Sequence, residues 1–382
     1  MRALAIQIGV LAVGMTTSLI AAGPPASTPT GSWSPKAAAA YLDYRETWWM
    51  TWPVAARDHD TFCVSCHTAV PYALARPALH AALGEDAPAP GERKLLDSVT
   101  RRVRMWDAVK PFYTDQNRGP HKTAQSRGTE SVLNALILAS YVARTGLLSA
   151  DARTALDEMW ALQQTSGQLK GAWLWLQFDN EPFEAHDSDY YGAALAAVAA
   201  GVAPGGYIAE PTIQSNLKLL RDYLNREYAR QSPINHAVLL WASAKWQGLL
   251  TPARQANIIH DILSEQRADG GWSLSSLAWT WRDWTTTTLV KLWWRSNATP
   301  FEPKSDGYAT GLMTYALEQV GLSQADPHLK RGLDWLERNQ IKADGRWPGY
   351  SLNNRVDPSS EMGHFMSDVG TAYAVLALTP AR

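Results

Sequence analysis

The 382-residue chain has little cysteine, little phenylalanine and no excess of either charge. Its 2 cysteines are too few to staple a small disulfide-rich scaffold, so the fold must rest on a hydrophobic core. The 35 Lys and Arg are balanced by 36 Asp and Glu, which argues against a nucleic-acid partner. After residue 22 no apolar run is long enough to span a bilayer, so we expect no membrane span after signal cleavage.

Residues 1–23 have the pattern of an export signal. Arg2 supplies a positively charged start, Ala3–Ala22 is largely apolar, and small residues and proline follow. A transmembrane anchor is the alternative, because the apolar run approaches the length that spans a bilayer. We predict a signal peptide over 1–23, a linker over 24–32, and a mature protein that is periplasmic or secreted.

Twelve segments alternate between two kinds of helix pattern. Apolar segments rich in Ala, Leu and Tyr begin near Cys66, Gly128, Asp187, Ser232, Ser305 and Ser367. Amphipathic segments precede them, beginning near Pro35, Gly91, Ala150, Pro211, Thr251 and Ala325. Six inner and six outer helices predict an all-α fold, an (α/α)6 toroid that forms a single domain over residues 33–382. An open helical solenoid is the alternative.

Two turn segments and one helix carry a family resemblance. Gln266-Arg-Ala-Asp-Gly-Gly-Trp272 and Asp344-Gly-Arg-Trp347 resemble the Gln/Trp repeats of squalene–hopene cyclases, and Gly370–Leu378 is similar to their inner helices. The resemblance implies the toroid of the terpene cyclase and protein prenyltransferase superfamily, with an apolar central cavity. Likeness of fold does not assign chemistry. The sequence also departs from the family, because it has no complete Asp-x-Asp-Asp motif and no Asp-x-Cys zinc ligands.

The nearest match to the cyclase acid motif begins the third inner helix. Asp189 matches the position of the acid in Asp187-Ser-Asp189-Tyr190, and Tyr190 replaces the last Asp. A charged carboxylate nearby raises the pKa of another and keeps it an acid, so Asp189 and Asp187 are catalytic candidates. Their alternative role is to cap the helix.

The two cysteines belong to the sequence Cys63-Val-Ser-Cys66-His67. In an exported protein, C-x-x-C-H is the attachment motif of c-type haem: two thioethers hold the porphyrin and the histidine ligates iron. A redox disulfide and part of a zinc site are the alternatives. No βαβ pattern surrounds the motif and a fourth zinc ligand is missing. We therefore predict covalent haem c, with its iron, bound through Cys63, Cys66 and His67.

A second iron ligand is expected from the sixth inner helix. In a closed ring this helix lies beside the first, and the N-terminal ends of the inner helices share one mouth of the toroid. Met366, His364 and Met362 stand there. Met366 is the first choice, because methionine ligation suits electron transfer at high potential. The alternative is that these side chains only fill the core.

Together these features predict an exported haem protein, acting in electron transfer or as a haem-dependent oxidoreductase on an apolar, isoprenoid-like compound. One alternative is a haem-free cyclase or isomerase with Asp189 as acid. The other is a toroid that binds a lipid or a polysaccharide through tryptophans such as Trp279 and Trp281. The expected partners are an apolar small molecule or lipid and a periplasmic redox protein. Whether the chain is an enzyme stays open at this point.

Overall fold

The computed structural model describes residues 33–278, 304–353 and 356–379. The predicted signal peptide and linker, over residues 1–32, lie outside these ranges, and so do Trp279 and Trp281. Within the described ranges the only strands are Ala56–Arg57 and Thr61–Phe62, which pair as an antiparallel hairpin. Helices make up most of the rest, as the sequence predicts.

Six helices form the inner ring. In chain order they are Ala69–Ala75, Lys122–Ala143, Ser188–Val202, Pro233–Lys245, Gly307–Gln319 and Phe365–Leu378. Each packs against the next in the sequence, and the sixth packs against the first. The ring is therefore closed, which confirms the predicted toroid over the open solenoid.

Six amphipathic helices wrap the inner ring. They are Pro35–Thr51, Pro90–Arg104, Ala150–Ala161, Gln214–Glu227, Pro252–Ser264 and Pro327–Asn339. Four of them start at a residue whose side-chain oxygen accepts a backbone N–H of the first turn, namely Ser34, Ser149, Thr251 and Asp326. Such caps, with proline in the first turn of three of these four helices, fix where the four helices begin. Short helices also occur at His80–Leu83, Asp115–Arg118 and Leu274–Leu277.

Three Gln/Trp turns tie the outer helices together. In each turn the glutamine amide donates to a glycine carbonyl of its own turn and to the first residues of the next outer helix. The tryptophan ring N–H donates to a carbonyl at the end of the preceding outer helix. The pairs are Gln163 with Trp173, Gln266 with Trp272, and Gln340 with Trp347. Each pair therefore acts as a clamp between two successive outer helices.

A glycine with positive φ is required at the same place in each clamp. Gly171, Gly270 and Gly345 have φ of 102°, 96° and 83°. A Cβ on Gly270 would lie 2.7 Å from the carbonyl oxygen of Arg331 in the next outer helix. Glycine is thus needed both for the backbone conformation and for the close helix approach.

The last clamp closes the outer ring. Gln340 Nε2 donates to the carbonyl oxygen of Ser34 at 3.1 Å, and the backbone N–H of Ser34 donates to Gln340 Oε1 at 2.6 Å. These hydrogen bonds join residues more than 300 positions apart. The end of the sixth outer helix is therefore fastened to the start of the first.

The toroid axis is filled, which differs from the apolar cavity that the resemblance implies. Tyr191 of the third inner helix and Tyr373 of the sixth, on opposite sides of the ring, are both buried and interact with each other. Tyr308 and Trp241 pack beside Tyr373, with ring centroids 5.8 and 6.5 Å away. Large aromatic side chains from helices on several sides therefore meet near the axis, where the resemblance implies a cavity.

None of the helices in the described ranges combines the length and the apolar character needed to cross a membrane.

Candidate functional site

The C-x-x-C-H motif leads directly into the first inner helix. The backbone N–H of Cys63 donates to the Ala55 carbonyl at 2.8 Å, and the ring N–H of Trp49 donates to the Cys63 carbonyl at 2.7 Å. Ser65 Oγ accepts the N–H groups of Thr68 and Ala69 at 3.2 and 3.0 Å. The motif is therefore held between the hairpin, the first outer helix and a capped helix start.

Both cysteines are buried and unbonded to each other. Burial raises the pKa of Cys63 to about 12 and that of Cys66 well above its usual range. Such thiols stay protonated at neutral pH, which does not suit a reactive redox dithiol. The part of the chain that the structure describes also brings together no set of three or more His, Cys, Asp and Glu that would hold a zinc ion.

His67 lies in an aromatic box. Its ring stacks on Phe365 with centroids 3.8 Å apart and meets the edge of Trp49 at 5.0 Å. Burial, with a smaller contribution from the positive charge of Arg45, lowers the pKa of His67 to about 3. The imidazole is therefore neutral at physiological pH, as a metal-ligating histidine must be.

A hydrogen-bonded chain runs from His67 into the sixth inner helix. His67 Nδ1 lies 2.9 Å from Thr68 Oγ1, and Thr68 Oγ1 donates to Asp368 Oδ2 at 2.7 Å. The other oxygen of Asp368 accepts from Arg45 Nε at 2.7 Å and from the Tyr41 hydroxyl at 2.8 Å. Asp368 is almost wholly buried, so these donors replace its hydration shell.

Arg45 anchors this network from the first outer helix. Besides Asp368, its guanidinium binds the side chain of Glu361 and donates to the Glu361 carbonyl at 2.7 Å. The guanidinium also lies 4.7 Å from the ring of Trp48. The first outer, first inner and sixth inner helices are thus joined through one buried charge pair.

Cys66 and His67 face a cleft of about 130 Å³. Its walls include Met366 and Met362, together with Phe183, Phe365 and Glu184. The structure therefore brings together Cys66, His67 and the expected ligand Met366, from opposite ends of the chain. His364 is not among the lining residues; it lies on the short 3₁₀ helix Met362–His364 just before the sixth inner helix. Cys63 lies behind the wall, buried in the core.

Residues 179–184 and 351–353 belong to two loops that contribute to the walls of this cleft. Asn353 joins them: its side-chain oxygen accepts the N–H of Glu181 at 3.1 Å, and its amide donates to the Asp179 carbonyl at 2.5 Å. Glu184, on the first loop, has its pKa raised to about 7 by burial. A titratable carboxyl therefore lies in an otherwise mainly apolar cleft.

Asp187 and Asp189 line a different cleft, of about 500 Å³, between the third inner and fourth outer helices. His186, Tyr223 and Arg226 also line it. Burial raises the pKa of Asp189 to about 6. Both oxygens of Asp189 already accept hydrogen bonds, from the Trp175 N–H at 3.0 Å and from Gln177 Nε2 at 3.2 Å.

The position of Asp189 recurs in the other clamps. Trp175 stands two residues after the clamp residue Trp173, and Leu274 stands two residues after Trp272. The N–H of Leu274 donates to Asp306 of the fifth inner helix at 2.7 Å. In the third clamp the N–H of Gly349 donates to Ser367 Oγ at 3.1 Å. The shared role of these side chains is to hold the chain that follows each clamp, which favours a structural role for Asp189.

Sequence reasoning missed several residues of this arrangement. Thr68 and Asp368 pair between the neighbouring first and sixth inner helices, 300 positions apart in the sequence, and no local pattern signals such a pair. Glu184 comes from a loop without regular structure. The clamp of Gln163 and Trp173 was also missed, because its glutamine and tryptophan are 10 residues apart instead of the 6 or 7 of the other two.

The fold and the two clefts together define an all-α (α/α)6 toroid with candidate sites at the N-terminal ends of its inner helices. No family model and no curated protein matches the chain. Solved structures similar to it include a glycosidase, with 12% identity and a TM-score of 0.46, covering 89% of this chain and 97% of that one.

Two further similar structures are also carbohydrate-active enzymes. A polysaccharide lyase has 12% identity and a TM-score of 0.36, covering 90% of this chain and 88% of that one. A glycosyl hydrolase of family 88 from Bacteroides vulgatus has 12% identity and a TM-score of 0.35, with 91% of each chain covered. At 12% identity and TM-scores of 0.35 to 0.46, these similar structures support no conclusion about the activity of this chain.

Proposed function

We propose that this chain is an exported c-type haem protein that transfers electrons, with haem held by thioethers at Cys63 and Cys66. His67 is the proposed iron ligand and Met366 the second one. The observation that carries the proposal is the convergence of Cys66, His67 and Met366 on one mainly apolar cleft, although His67 and Met366 are 299 positions apart in the sequence.

Three of the four residues that would hold this group line the cleft, and the fourth, Cys63, lies behind its wall. His67 is neutral, and its Nδ1 is engaged by Thr68, which leaves Nε2 to ligate iron. Methionine thioethers are known haem ligands, and His/Met ligation gives the high potential of electron carriers. The aromatic side chains Phe183 and Phe365 supply apolar walls that suit a porphyrin face.

The volume of the cleft is small compared with haem. A cleft of about 130 Å³ has room for several water molecules and not for a porphyrin. Attachment of haem therefore requires the cleft to be wider than it is in this structure. Haem, once bound, supplies reversible one-electron chemistry at its iron; the chain binds it, orients His67 and keeps water from the metal.

The first experiment is a visible spectrum of the protein expressed for export together with haem-maturation machinery. A denaturing gel stained for haem follows. We expect a Soret band and a haem-stained polypeptide, both absent in the double variant Cys63→Ser/Cys66→Ser. An Asp189→Asn variant, altered only in the other cleft, serves as a matched control and should keep its haem. A colourless wild-type protein would refute the proposal.

The role of Met366 needs its own comparison. Met366→Leu should remove the long-wavelength absorption band of a methionine-ligated ferric haem while leaving the haem covalently attached. Met362→Leu is the control, because Met362 also lines the cleft but is 40% exposed. Loss of the band in Met362→Leu alone would reassign the ligand. Absence of the band from the wild type would instead leave iron open to a substrate and favour a haem-dependent oxidoreductase.

A second candidate function rests on the other cleft. A carboxyl with a pKa of about 6 in a cleft of about 500 Å³ has the properties of a general acid for a cyclase or isomerase reaction. Its equivalence to Asp306 weakens this candidate. Turnover lost in Asp189→Asn and retained in Cys66→Ser would support it over the haem proposal.

A further inference from the structure

We propose that Cys66, His67 and Met366 form a binding site for a single monovalent copper ion in the chain without haem. This inference does not rest on the proposed haem function, and it uses the cleft at the size that the structure shows. The two occupants would share Cys66 and His67, so only one of them can be bound at a time.

The donors that line this cleft are soft. Cys66 supplies a thiol, His67 an imidazole and Met366 a thioether, and the thioether of Met362 lines the same cleft. Thiolate and thioether sulfur select Cu(I), whereas magnesium, calcium and manganese prefer carboxylate, carbonyl and water oxygens. The donor set therefore favours monovalent copper over hard cations.

One nitrogen of His67 is available to a metal. Nδ1 lies 2.9 Å from Thr68 Oγ1, and among the described residues it is the only ring nitrogen of His67 with a hydrogen-bond partner. The contact with Thr68 and the stacking on Phe365 at 3.8 Å hold the ring in one orientation. Nε2 can therefore bind an ion without breaking a hydrogen bond.

The charge balance of the cleft matches an ion of charge +1. The buried Cys66 thiol, whose pKa is raised well above its usual range, is protonated before metal binds. Binding of Cu⁺ breaks the S–H bond, forms an S–Cu bond and releases the proton to solvent, with no change of oxidation state. The thiolate cancels the charge of the ion, so the product is neutral in a mainly apolar cleft.

A divalent ion finds fewer ligands here. One thiolate leaves it with a net positive charge, which is costly in an apolar cleft. Carboxyls of Glu181 and Glu184 also line the cleft, but within the described ranges neither joins Cys66 and His67 in a set of three that would hold a metal ion. The site should therefore discriminate against zinc.

The dimensions of the cleft agree with one ion. A volume of about 130 Å³, enough for several water molecules, accommodates a single dehydrated ion among its ligands. Cys63 is not among the lining residues and is buried in the core. A copper ion in the cleft thus needs only Cys66, whereas two thioethers to haem need both cysteines of the motif. This difference makes Cys63 the discriminating position.

The test titrates the reduced full chain, expressed without haem-maturation machinery, with Cu(I) in the absence of oxygen and in competition with the coloured chelator bicinchoninate. We expect one copper ion per chain, with sulfur and nitrogen neighbours in its X-ray absorption spectrum. Cys66→Ser should weaken binding about 100-fold and Met366→Leu about tenfold, since even residues that only support a ligand change metal affinity about 10–100-fold. Cys63→Ser is the matched control and should bind copper as the wild type does.

The same variants supply the outcomes that would overturn the site. Unchanged affinity in Met366→Leu does so, and because leucine keeps the volume of methionine, this variant decides even if Cys66→Ser does not fold. A folded Cys63→Ser that loses copper would assign the ion to the cysteine pair instead. Zinc bound as tightly as Cu(I) would also contradict the proposed site.

Failure of this inference and failure of the haem proposal are distinguishable. A protein that stays colourless after expression with haem-maturation machinery, and whose haem-free form binds one copper ion, refutes only the haem proposal. A protein that acquires covalent haem, and whose haem-free form binds no copper, refutes only the copper site.

Discussion

Two parts of the toroid rim use buried carboxylates in different ways. At the third and fifth inner helices, Asp189 and Asp306 accept backbone N–H groups and hold the chain that follows a clamp. At the sixth inner helix Ser367 does this work, and the adjacent Asp368 instead accepts side-chain donors, one of which connects it to His67. Because Ser367 accepts the backbone N–H at the sixth inner helix, the carboxylate of the adjacent Asp368 is available to bind side chains of the site.

The largest effect is expected from Arg45→Met. Removing the guanidinium leaves Asp368 as a buried charge without its cationic partner, which costs about 3–5 kcal/mol of unfolding free energy. Urea denaturation measures the loss. Arg104→Met is the matched control, because Arg104 pairs with Asp151 on the surface and such pairs contribute roughly 0–1 kcal/mol. Equal losses in the two variants would mean that the buried network has no special role.

Glu46 extends the comparison to a buried carboxyl without any hydrogen-bond donor. Burial, and to a lesser degree Asp368, raises the pKa of Glu46 to about 8, and neither of its oxygens has a hydrogen-bond partner among the described residues. Because the folded state holds this proton and the unfolded state releases it near pH 4.5, the contribution to stability is full at low pH and is lost as pH rises through about 8.

Glu46→Gln removes this titration. From about pH 5 to pH 8 the wild type should lose roughly 3–4 kcal/mol relative to Glu46→Gln, since each unit of pKa shift corresponds to about 1.4 kcal/mol. Urea unfolding at both pH values measures the difference. Parallel pH profiles for the two proteins would contradict the assignment of a protonated Glu46.

Asp306→Ala and Asp189→Ala test the shared role of the two aspartates. Loss of Asp306 leaves the buried N–H groups of Leu274 and Ala309 without acceptors, at a cost of about 2 kcal/mol. A similar or smaller loss is expected for Asp189→Ala. Asp189→Asn should recover most of it, because the amide oxygen still accepts from Trp175. Thermal unfolding is the measurement, and a fully stable Asp189→Ala would instead favour a functional role.

The smallest effect is expected from the ring-closing clamp. Gln340→Ala removes hydrogen bonds to Ser34 and Gly345, which contribute about 1–2 kcal/mol together. Gln163→Ala, in a clamp between neighbouring helices, is the control. Loss of hydrogen-exchange protection in both the first and sixth outer helices is expected only for Gln340→Ala. If each variant loses protection only near its own clamp and to the same extent, ring closure contributes nothing beyond an ordinary clamp.

Much of the architecture could be predicted from the sequence. The helix periodicity predicts the six pairs with starts within a few residues of the observed ones, and closure of the ring predicts that Met366 lies near His67. These predictions succeed because the helical period of each segment, and the number of such segments, can be read directly from the sequence.

The rest depends on contacts that no segment encodes by itself. The pairing of Thr68 with Asp368, the approach of Glu184 to Cys66, and the filling of the axis by Tyr191 and Tyr373 all join distant residues. Small differences in helix position decide whether such side chains touch. For the same reason, the central cavity that the family resemblance implies is replaced here by aromatic packing.

The hydrogen bonds between Gln340 and Ser34 have a consequence for folding and for ligand linkage. The site at Cys66, His67 and Met366 exists only once the first and last helices have met, so its formation has a very high contact order. Whatever binds between these two helices adds its binding free energy to the stability of the whole ring. Occupancy of the cleft should therefore appear as a higher unfolding midpoint of the entire toroid, read out at any tryptophan in it.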